Sequence, residues 1–404
     1  MLNLVSPESV GLSTERLNYI PERLNRYVDE EKLPGYMVLV ARHGKPAYLY
    51  RYGLCDVRAN APVQEDTIYR IYSMTKPITS VALLMLYERG LFQLNDPVSR
   101  FIPEFKDLAV YKSGDVNNIE TEPTQREVTI RDVMTHTAGF TYGFFGDHPV
   151  DQLYNQQRVM DRKGTLRDMV QKLAGIPLVF QPGTHWSYSL ATDILGHLVE
   201  IVSGQPLDEY FEQHIFAPLG MVDTGFHVPA NKVSRFAANY QFDENGYKLI
   251  DDPKESTYLP KPTFFSGGGG LVSTIADYQQ FCTMLLNKGE HNGARLLGRK
   301  TVELMTSNHL PGGGDLTSMG QAVFSETPYD GIGFGLGVSV VLNPPASQIL
   351  GSAGEYAWGG AASTAFWIDP VEEMNVIFLT QLMPSSTYPI RRELRVLTYQ
   401  AIVD

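Results

Sequence analysis

The chain has 404 residues, of which 43% are hydrophobic, so it is long enough to bury a large core in one big domain or two lobes. Its formal net charge is -12, and it has no Lys/Arg run of the kind that nucleic acid or anionic membranes require as partners. Cys55 and Cys282 lie far apart, so neither a disulfide framework nor a zinc ribbon is expected. Without a secretory signal or an apolar run of ~18–20 residues, a cytoplasmic globular protein is expected.

The N-terminal segment predicts a helix followed by a β-hairpin. Leu17, Ile20, Leu24 and Tyr27 recur at helical spacing, and Ser13 can serve as the N-cap. The next two runs are YMVLVARHG and KPAYLYRYG, which are rich in strand-forming residues and meet at a His-Gly turn. A helix followed by a hairpin indicates an α+β lobe.

From residue 74 to about 220 the pattern is mostly helical. Four segments have helical patterns that end at a glycine, as helices often do: TKPITSVALLMLYERG, TIRDVMTHTAGF, TLRDMVQKLAG and SLATDILGHLVEIVSG. Near the C-terminus three runs predict strands, FGLGVSVVL, STAFWID and MNVIFLTQL, and PIRRELRVLTYQAIV predicts a final helix.

These elements predict two domains. Residues 1–70 and 230–404 form an α/β domain whose sheet is shared by both ends of the chain, and residues 71–229 form a mainly helical domain inserted between them. Ligand sites often form in the cleft between two such lobes.

The stretch IYSMTKPITS places Ser73 three residues before Lys76, at the start of an apolar helical run. A serine hydroxyl is a weak nucleophile near neutral pH and needs a base close by. Residues i and i+3 share one helix face, and a buried lysine can act as that base. The helix N-terminus also favours an oxyanion. A two-letter match alone is equally compatible with a solvated lysine, but this Ser-x-x-Lys is the only one in the chain.

Two further segments supply groups for the same chemistry. Tyr188, in PGTHWSYSLATDILG, lies at a loop-to-helix junction where its phenol can carry a proton to the leaving atom. Gly359 and Gly360 precede a strand and allow close approach of a substrate to the backbone, and the N–H of Ala361 can serve as an oxyanion donor. Ordinary packing and a simple tight turn are the alternative interpretations.

This order of motifs resembles that of serine β-lactamases and penicillin-binding proteins. The more specific resemblance is to family VIII carboxylesterases, which are built on the class C β-lactamase fold and typically show S-x-x-K, a W-S-Y-S-like context and W-G-G. The chain has SMTK, WSYS and Trp358-Gly359-Gly360, and the resemblance extends from about residue 7 to 400. It implies an α+β fold, with an antiparallel sheet flanked by helices and a helical lobe.

Two positions depart from the β-lactamase pattern. Leu190 stands where β-lactamases place an Asn that holds the amide side chain of the β-lactam, and Trp358 replaces the late Lys that contacts its carboxylate. Both changes favour neutral esters over anionic amides. Lys112-Ser113-Gly114 is interpreted as a chance match in a polar loop with no strand after it.

We therefore predict a serine carboxylesterase that hydrolyses short- to medium-chain esters through an acyl-enzyme on Ser73. Lys76, with Tyr188, takes the proton of the serine hydroxyl, and the backbone N–H groups of Ser73 and Ala361 hold the oxyanion. Which of Lys76 and Tyr188 is the base stays open, because coupled groups titrate as a pair. The predicted substrate contacts are Trp358, Gly359, Gly360, Trp186, Phe144 and Phe145.

Three alternatives remain on the same fold: a β-lactamase or D-amino-acid peptidase, an acyltransferase, and a non-catalytic penicillin-binding-like sensor. No Gly-x-Ser-x-Gly elbow and no HExxH spacing occurs, so neither an α/β-hydrolase nor a metal hydrolase is expected, and no cofactor or metal is implied. His136 is interpreted as a structural residue at a helix end, and SGGGGLVST as a close backbone turn before a strand. The expected partner is a small-molecule ester, and the oligomeric state is left open.

Overall fold

The computed structural model of the chain describes residues 2–144, 146–244, 246–320 and 329–404. Its α-helices are α1 (Thr14–Leu17), α2 (Tyr19–Asp29), α3 (Thr75–Glu88), α4 (Ile130–Met134), α5 (Pro149–Gln156), α6 (Leu166–Leu173), α7 (Ala191–Ser203), α8 (Leu207–Phe211), α9 (Ala217–Leu219), α10 (Ile275–Leu286), α11 (Arg299–Met305), α12 (Leu316–Met319), α13 (Pro344–Ser347) and α14 (Ile390–Tyr399).

The strands are β1 (Gly35–Arg42), β2 (Lys45–Asp56), β3 (Ala61–Pro62), β4 (Tyr69–Arg70), β5 (Ala109–Ser113), β6 (Glu120–Pro123), β7 (Asn239–Asp243), β8 (Gly246–Asp251), β9 (Val272–Ser273), β10 (Glu290–His291), β11 (Ala294–Arg295), β12 (Ile332–Phe334), β13 (Ser339–Val341), β14 (Tyr356–Gly359), β15 (Ala365–Asp369), β16 (Met374–Leu379) and β17 (Leu382–Met383). A 3-10 turn, Tyr72–Met74, leads into α3.

The main sheet has eight strands in the order β12-β13-β14-β15-β16-β1-β2-β3. Every neighbouring pair is antiparallel, and β1 from the N-terminal part pairs with β16 from the C-terminal part, from Met37 opposite Leu379 to Arg42 opposite Met374. The predicted antiparallel sheet, shared by both ends of the chain and flanked by helices, is confirmed.

Both faces of this sheet are covered, which explains why β1 is a continuous apolar run rather than an alternating one. Tyr36, Val38 and Val40 belong to the smaller core, formed with α1, α2 and α14. Met37 and Leu39 point to the other face and join the larger core, which includes α3, α7 and α10. The second face therefore carries the mostly helical part of the chain.

Several elements differ from the prediction. The N-terminal helix is interrupted into α1 and α2, although Ser13 caps it as expected by accepting the N–H of Arg16 at 3.3 Å. Helix α4 ends at Met134, well before the predicted break at Gly139. Helices α10 and α11 were not predicted from the sequence. Helix α10 carries apolar residues on most of its surface and is buried against the sheet, so it lacks the one-sided apolar pattern of a surface helix.

The segment around Lys112 is also different from the prediction. It was expected to be a polar loop, but residues up to Ser113 form β5, which pairs with β6 as a small hairpin. The segment has few apolar residues and is half-exposed, so its sequence lacks the usual strand pattern. The proposed boundaries at residues 70 and 229 stay a prediction.

Within the described ranges, no helix is both long enough and apolar enough to cross a bilayer.

Candidate active site

The short strand β4, which precedes Ser73, is hydrogen-bonded along both of its edges. On one edge β4 pairs with β9, and on the other the side chain of Gln381 accepts the N–H of Arg70 at 3.2 Å and donates to its carbonyl at 3.0 Å. Between this strand and Ser73, Tyr72 has a φ of 43°, a left-handed conformation that bulky residues adopt only under constraint. The backbone thus turns sharply at the residue that presents the serine.

Lys76 lies in the first turn of α3 and is fully buried. Its Nζ is 3.1 Å from Oγ of Ser73, 2.8 Å from Oη of Tyr142 and 2.6 Å from the carbonyl oxygen of Gly268. An ammonium group has three N–H donors, which matches these three oxygens, whereas the neutral amine has a lone pair that can accept the serine proton. Lys76 can therefore exchange a proton with Ser73 without moving.

The phenol of Tyr188 donates to Oγ of Ser73 at 2.7 Å, on the other side from Lys76. The Nζ of Lys76 also lies 4.7 Å from the centre of the Tyr188 ring, where a cation is attracted by the aromatic face. The structure thus brings the three residues predicted as catalytic into direct contact.

His136 holds the residues on either side of Tyr188. Its carbonyl accepts the N–H of Ser187 at 2.9 Å, and its Nδ1 accepts the N–H of Ser189 at 3.3 Å, which puts the ring proton on Nε2. Burial, reinforced by the charge of Lys76, holds the pKa of His136 well below its usual range, so the ring is neutral. This position agrees with the structural role expected from the sequence.

Three functional groups were missed by sequence reasoning: the phenol of Tyr142, the carboxylate of Asp193 and the carbonyl of Gly268. Burial holds the pKa of Tyr142 well above its usual range, so its phenol stays protonated beside Lys76. For Asp193 a signal was present, because a carboxylate on the apolar face of α7 is rarely buried without a partner. No sequence signal distinguishes Tyr142 or Gly268.

The glycine run before β9 makes the Gly268 contact possible. It passes between α3 and α7 so closely that a Cβ on Gly267 would lie 2.8 Å from the carbonyl of Thr192, and one on Gly268 would lie 2.5 Å from Oδ2 of Asp193. Glycines are therefore needed for the loop to fit. The prediction of a close backbone turn before a strand is confirmed, and the turn also delivers a carbonyl to Lys76.

The opposite side of Ser73 is formed by the end of β14. A Cβ on Gly360 would overlap the carbonyl oxygen of Ile71 and the hydroxyl of Thr364, so this glycine lets the two backbones touch. The next residue, Ala361, lines the same cavity as Ser73, and its N–H donates to no acceptor in the described part of the chain. This N–H is available to a substrate oxygen.

Ser73 opens into a cavity of about 1190 Å³. Of the predicted substrate contacts, Trp358, Gly359, Gly360 and Phe144 line this cavity. The ring of Phe144 is stacked on that of Tyr142 with centres 4.6 Å apart, and the centre of the Trp358 ring lies 5.4 Å from that of the Tyr188 ring. Most of the lining is apolar, with cationic side chains such as Arg162 among its residues.

One other predicted position does not contribute in this way. Trp186 is fully buried behind Tyr188, with ring centres 6.2 Å apart, and does not line the cavity, so its prediction as a substrate contact is corrected. Of the segment WSYS, only Tyr188 lines the cavity. Phe145 lies outside the described residues. Leu190 is fully buried and does not line the cavity either.

A model of the Beta-lactamase family matches residues 21–400. The chain belongs to the β-lactamase family. Esterase EstB of Burkholderia gladioli is 33% identical over 364 residues, covering 87% of this chain and 86% of EstB. The fold is accordingly the β-lactamase and penicillin-binding-protein fold, and the chain is a serine hydrolase of this superfamily.

Two solved structures of the β-lactamase fold are similar over almost the whole chain. EstCE1, described as a hydrolase with promiscuous acyltransferase activity, has a TM-score of 0.79 and 26% identity, covering 97% of this chain and 99% of its own. A mutant of simvastatin synthase from Aspergillus terreus has a TM-score of 0.80 and 25% identity, covering 98% of this chain and 97% of its own. Together with EstB, EstCE1 confirms the resemblance to family VIII esterases.

Proposed function

We propose that this β-lactamase-family protein is a carboxylesterase that uses Ser73 as its nucleophile. One observation carries the proposal. In an apolar cavity, Oγ of Ser73 accepts a hydrogen bond from the phenol of Tyr188 at 2.7 Å and lies 3.1 Å from Nζ of Lys76. A serine hydroxyl between two proton-exchanging groups is what acyl transfer requires.

In the first step, Ser73 Oγ attacks the ester carbonyl, and its proton passes to the Lys76–Tyr188 pair. The carbonyl oxygen becomes an oxyanion held by the N–H groups of Ser73 and Ala361. As the C–O bond to the alcohol breaks, the pair returns the proton to the leaving oxygen, and an acyl-serine remains. Lys76 is fully buried, so water does not compete for this proton.

In the second step, a water molecule takes the place of the alcohol. The same pair removes its proton, the hydroxyl adds to the acyl carbon, and the proton is delivered to Oγ as the acid departs. Trp358 favours esters over β-lactams here, because it places an apolar ring in the cavity wall at the position of a cationic side chain in β-lactamases.

The test compares hydrolysis of p-nitrophenyl butyrate and nitrocefin by the wild type and Ser73→Ala. We expect fast ester turnover, weak nitrocefin turnover, and a fall of about 10⁴-fold in ester kcat/KM for the variant. Ser80→Ala is the matched control. Ser80 is a buried serine of α3 whose Oγ has no hydrogen-bond partner in the described residues, so the ester activity of this variant should equal that of the wild type. Equal ester activity in Ser73→Ala would sink the proposal, and efficient nitrocefin turnover would favour a β-lactamase.

A second candidate function is acyl transfer to an alcohol, favoured by the large cavity and by the acyltransferase activity described for EstCE1. Both functions share the acyl-enzyme, so they differ only in what reacts with it. Adding 1-butanol to the ester assay and measuring the ratio of butyl ester to free acid separates them. A transferase gives mainly butyl ester at alcohol concentrations far below that of water, and an esterase gives mainly acid.

A further inference from the structure

We propose that Asp193 is a positioning residue that supplies the counter-charge for protonated Lys76 and fixes the loop carbonyl to which Lys76 binds. The proposal rests on the proposed function, because it assigns a role in the proton transfers at Ser73. It concerns a group that does not touch Ser73 and acts through Lys76.

The geometry connects the two charged side chains through one residue. Oδ1 of Asp193 accepts the N–H of Gly268 at 3.1 Å and the hydroxyl of Ser266 at 2.6 Å. The carbonyl of the same Gly268 accepts Nζ of Lys76 at 2.6 Å. The carboxylate therefore holds the N–H of the same loop residue whose carbonyl holds the ammonium.

The second oxygen of the carboxylate points into this site. Oδ2 of Asp193 is buried and has no hydrogen-bond partner among the described residues. A Cβ built on Gly268 would lie 2.5 Å from Oδ2 and 3.2 Å from Oη of Tyr142, so both oxygens border the same small space. A buried carboxylate oxygen without a partner is unfavourable, and its retention calls for an explanation beyond packing.

Among the described residues, Asp193 is a carboxylate that interacts electrostatically with the lysine. The ammonium meets Ser73 from the 3-10 turn before α3, Tyr142 from the loop after α4 and Tyr188 from the segment before α7. His136, in the same loop after α4, has its pKa lowered by the charge of Lys76 in addition to burial. Tyr142 stays protonated and His136 is neutral, because burial raises the pKa of the phenol and lowers that of the imidazole.

Burial raises the pKa of Asp193, whereas the hydrogen bond from Ser266, the charge of Lys76 and the hydrogen bond from Gly268 lower it. Its position in the first turn of α7 also favours the negative charge, through the helix dipole.

This arrangement has a consequence for the reaction. Each time the proton of Ser73 reaches the Lys76–Tyr188 pair, a positive charge forms on or beside a fully buried lysine, where charges interact strongly. A fixed carboxylate nearby makes the protonated lysine less costly and keeps its Nζ aligned with Ser73. Removing that carboxylate should let the lysine give up its proton at lower pH.

The experiment measures the rate at which a fluorophosphonate labels Ser73 between pH 5 and 9. In a plot of this rate against pH, the acidic limb is the part that rises from low pH to the plateau. In Asp193→Asn, which keeps the size of the side chain and one acceptor oxygen, we expect the acidic limb to shift to lower pH by about one unit. The plateau rate should also fall several-fold, because the loop carbonyl is less firmly held. Ser266→Ala, which removes one hydrogen bond but keeps the charge, should lower the plateau and leave the limb in place.

Asp277→Asn is the matched control, since Asp277 is also a buried carboxylate at the start of a helix, α10, but does not line the cavity. It should leave both limb and plateau unchanged. If Asp193→Asn does not fold, Asp193→Ser is measured with and without added formate, which should restore the wild-type limb. A lower plateau with an unmoved limb would overturn the proposal, and absence of labelling in the wild type would instead overturn the proposed function.

Discussion

The two sides of Ser73 are built in opposite ways. On the helical side, Lys76 is fully buried and surrounded by fixed oxygens, and a Cβ on Gly267 or Gly268 of the glycine run would not be accommodated. On the sheet side, the end of β14 faces an apolar cavity of about 1190 Å³, and the N–H of Ala361 has no acceptor in the described part of the chain.

This difference indicates which side is specialised for chemistry and which for substrate choice. Proton transfer requires atoms held within hydrogen-bond distance, and on the helical side the partners of Lys76 are held at that distance. Substrate binding requires room and an unused donor, and these are found on the sheet side. Substitutions on the helical side should therefore reduce kcat, whereas those at the rim of the cavity should change KM.

The largest effect that sharpens this comparison is expected for Tyr188→Phe. The variant keeps the ring and its contacts but loses the hydroxyl that reaches Ser73, so ester kcat should fall about 10³-fold with little change in KM. Tyr48→Phe, which removes a buried hydroxyl that has no partner in the described residues, is the control and should keep full activity. A loss of less than threefold in Tyr188→Phe would show that Lys76 suffices as the proton carrier.

A smaller effect is expected on the sheet side for Gly360→Ala. The new Cβ would overlap the carbonyl of Ile71 and the hydroxyl of Thr364, so the backbone must shift and carry the N–H of Ala361 with it. Loss of one oxyanion donor should reduce kcat about 10²-fold, and overpacking should lower the free energy of unfolding by about 1–3 kcal/mol. Both are measured by ester kinetics and urea unfolding.

The control for Gly360→Ala is Gly175→Ala, because the nearest atom to its Cβ would be 3.7 Å away, an ordinary contact. If Gly360→Ala lost stability but kept its kcat, Ala361 would not be an oxyanion donor, and the sheet side would serve binding alone.

The smallest effect is expected for Tyr142→Phe. It removes one of the three oxygens around Nζ of Lys76, and kcat should fall roughly tenfold, as expected for one hydrogen bond to a charged group. Phe144→Ala, at the half-exposed ring stacked on Tyr142, is the comparison at the rim and should raise KM a few-fold without changing kcat. The reverse pattern, with KM changed in Tyr142→Phe and kcat in Phe144→Ala, would contradict the division between the two sides.

The sequence was sufficient where local pattern determines structure. The apolar run of β1, the capping by Ser13 and the glycine turn before β9 follow from short stretches, and the motifs around Ser73, Lys76 and Tyr188 indicated residues that the fold then brings together. It was insufficient where a contact joins distant segments. The Lys76–Gly268 contact spans 192 positions and uses a backbone oxygen, which every residue possesses.

Burial was the other missing information. The sequence WSYS does not show how deeply each of its side chains is buried, so Trp186 was assigned to the substrate and proved to be core, although Tyr188 lines the cavity. The same limit applies to Asp193, whose charge is evident in the sequence but whose complete burial depends on α3 and the glycine run.

The pairing of β1 with β16 also governs when the protein can become active during its synthesis. Gln381 holds the strand before Ser73, and the proposed oxyanion donor, the N–H of Ala361, follows β14. Gln381 and Ala361 are therefore synthesised about 300 residues after the nucleophile itself. A ribosome-bound chain carrying the serine, lysine and tyrosine motifs would still lack an assembled site. Reactivity toward esters should therefore appear only after the C-terminal strands leave the ribosome, which keeps unfinished chains from being acylated.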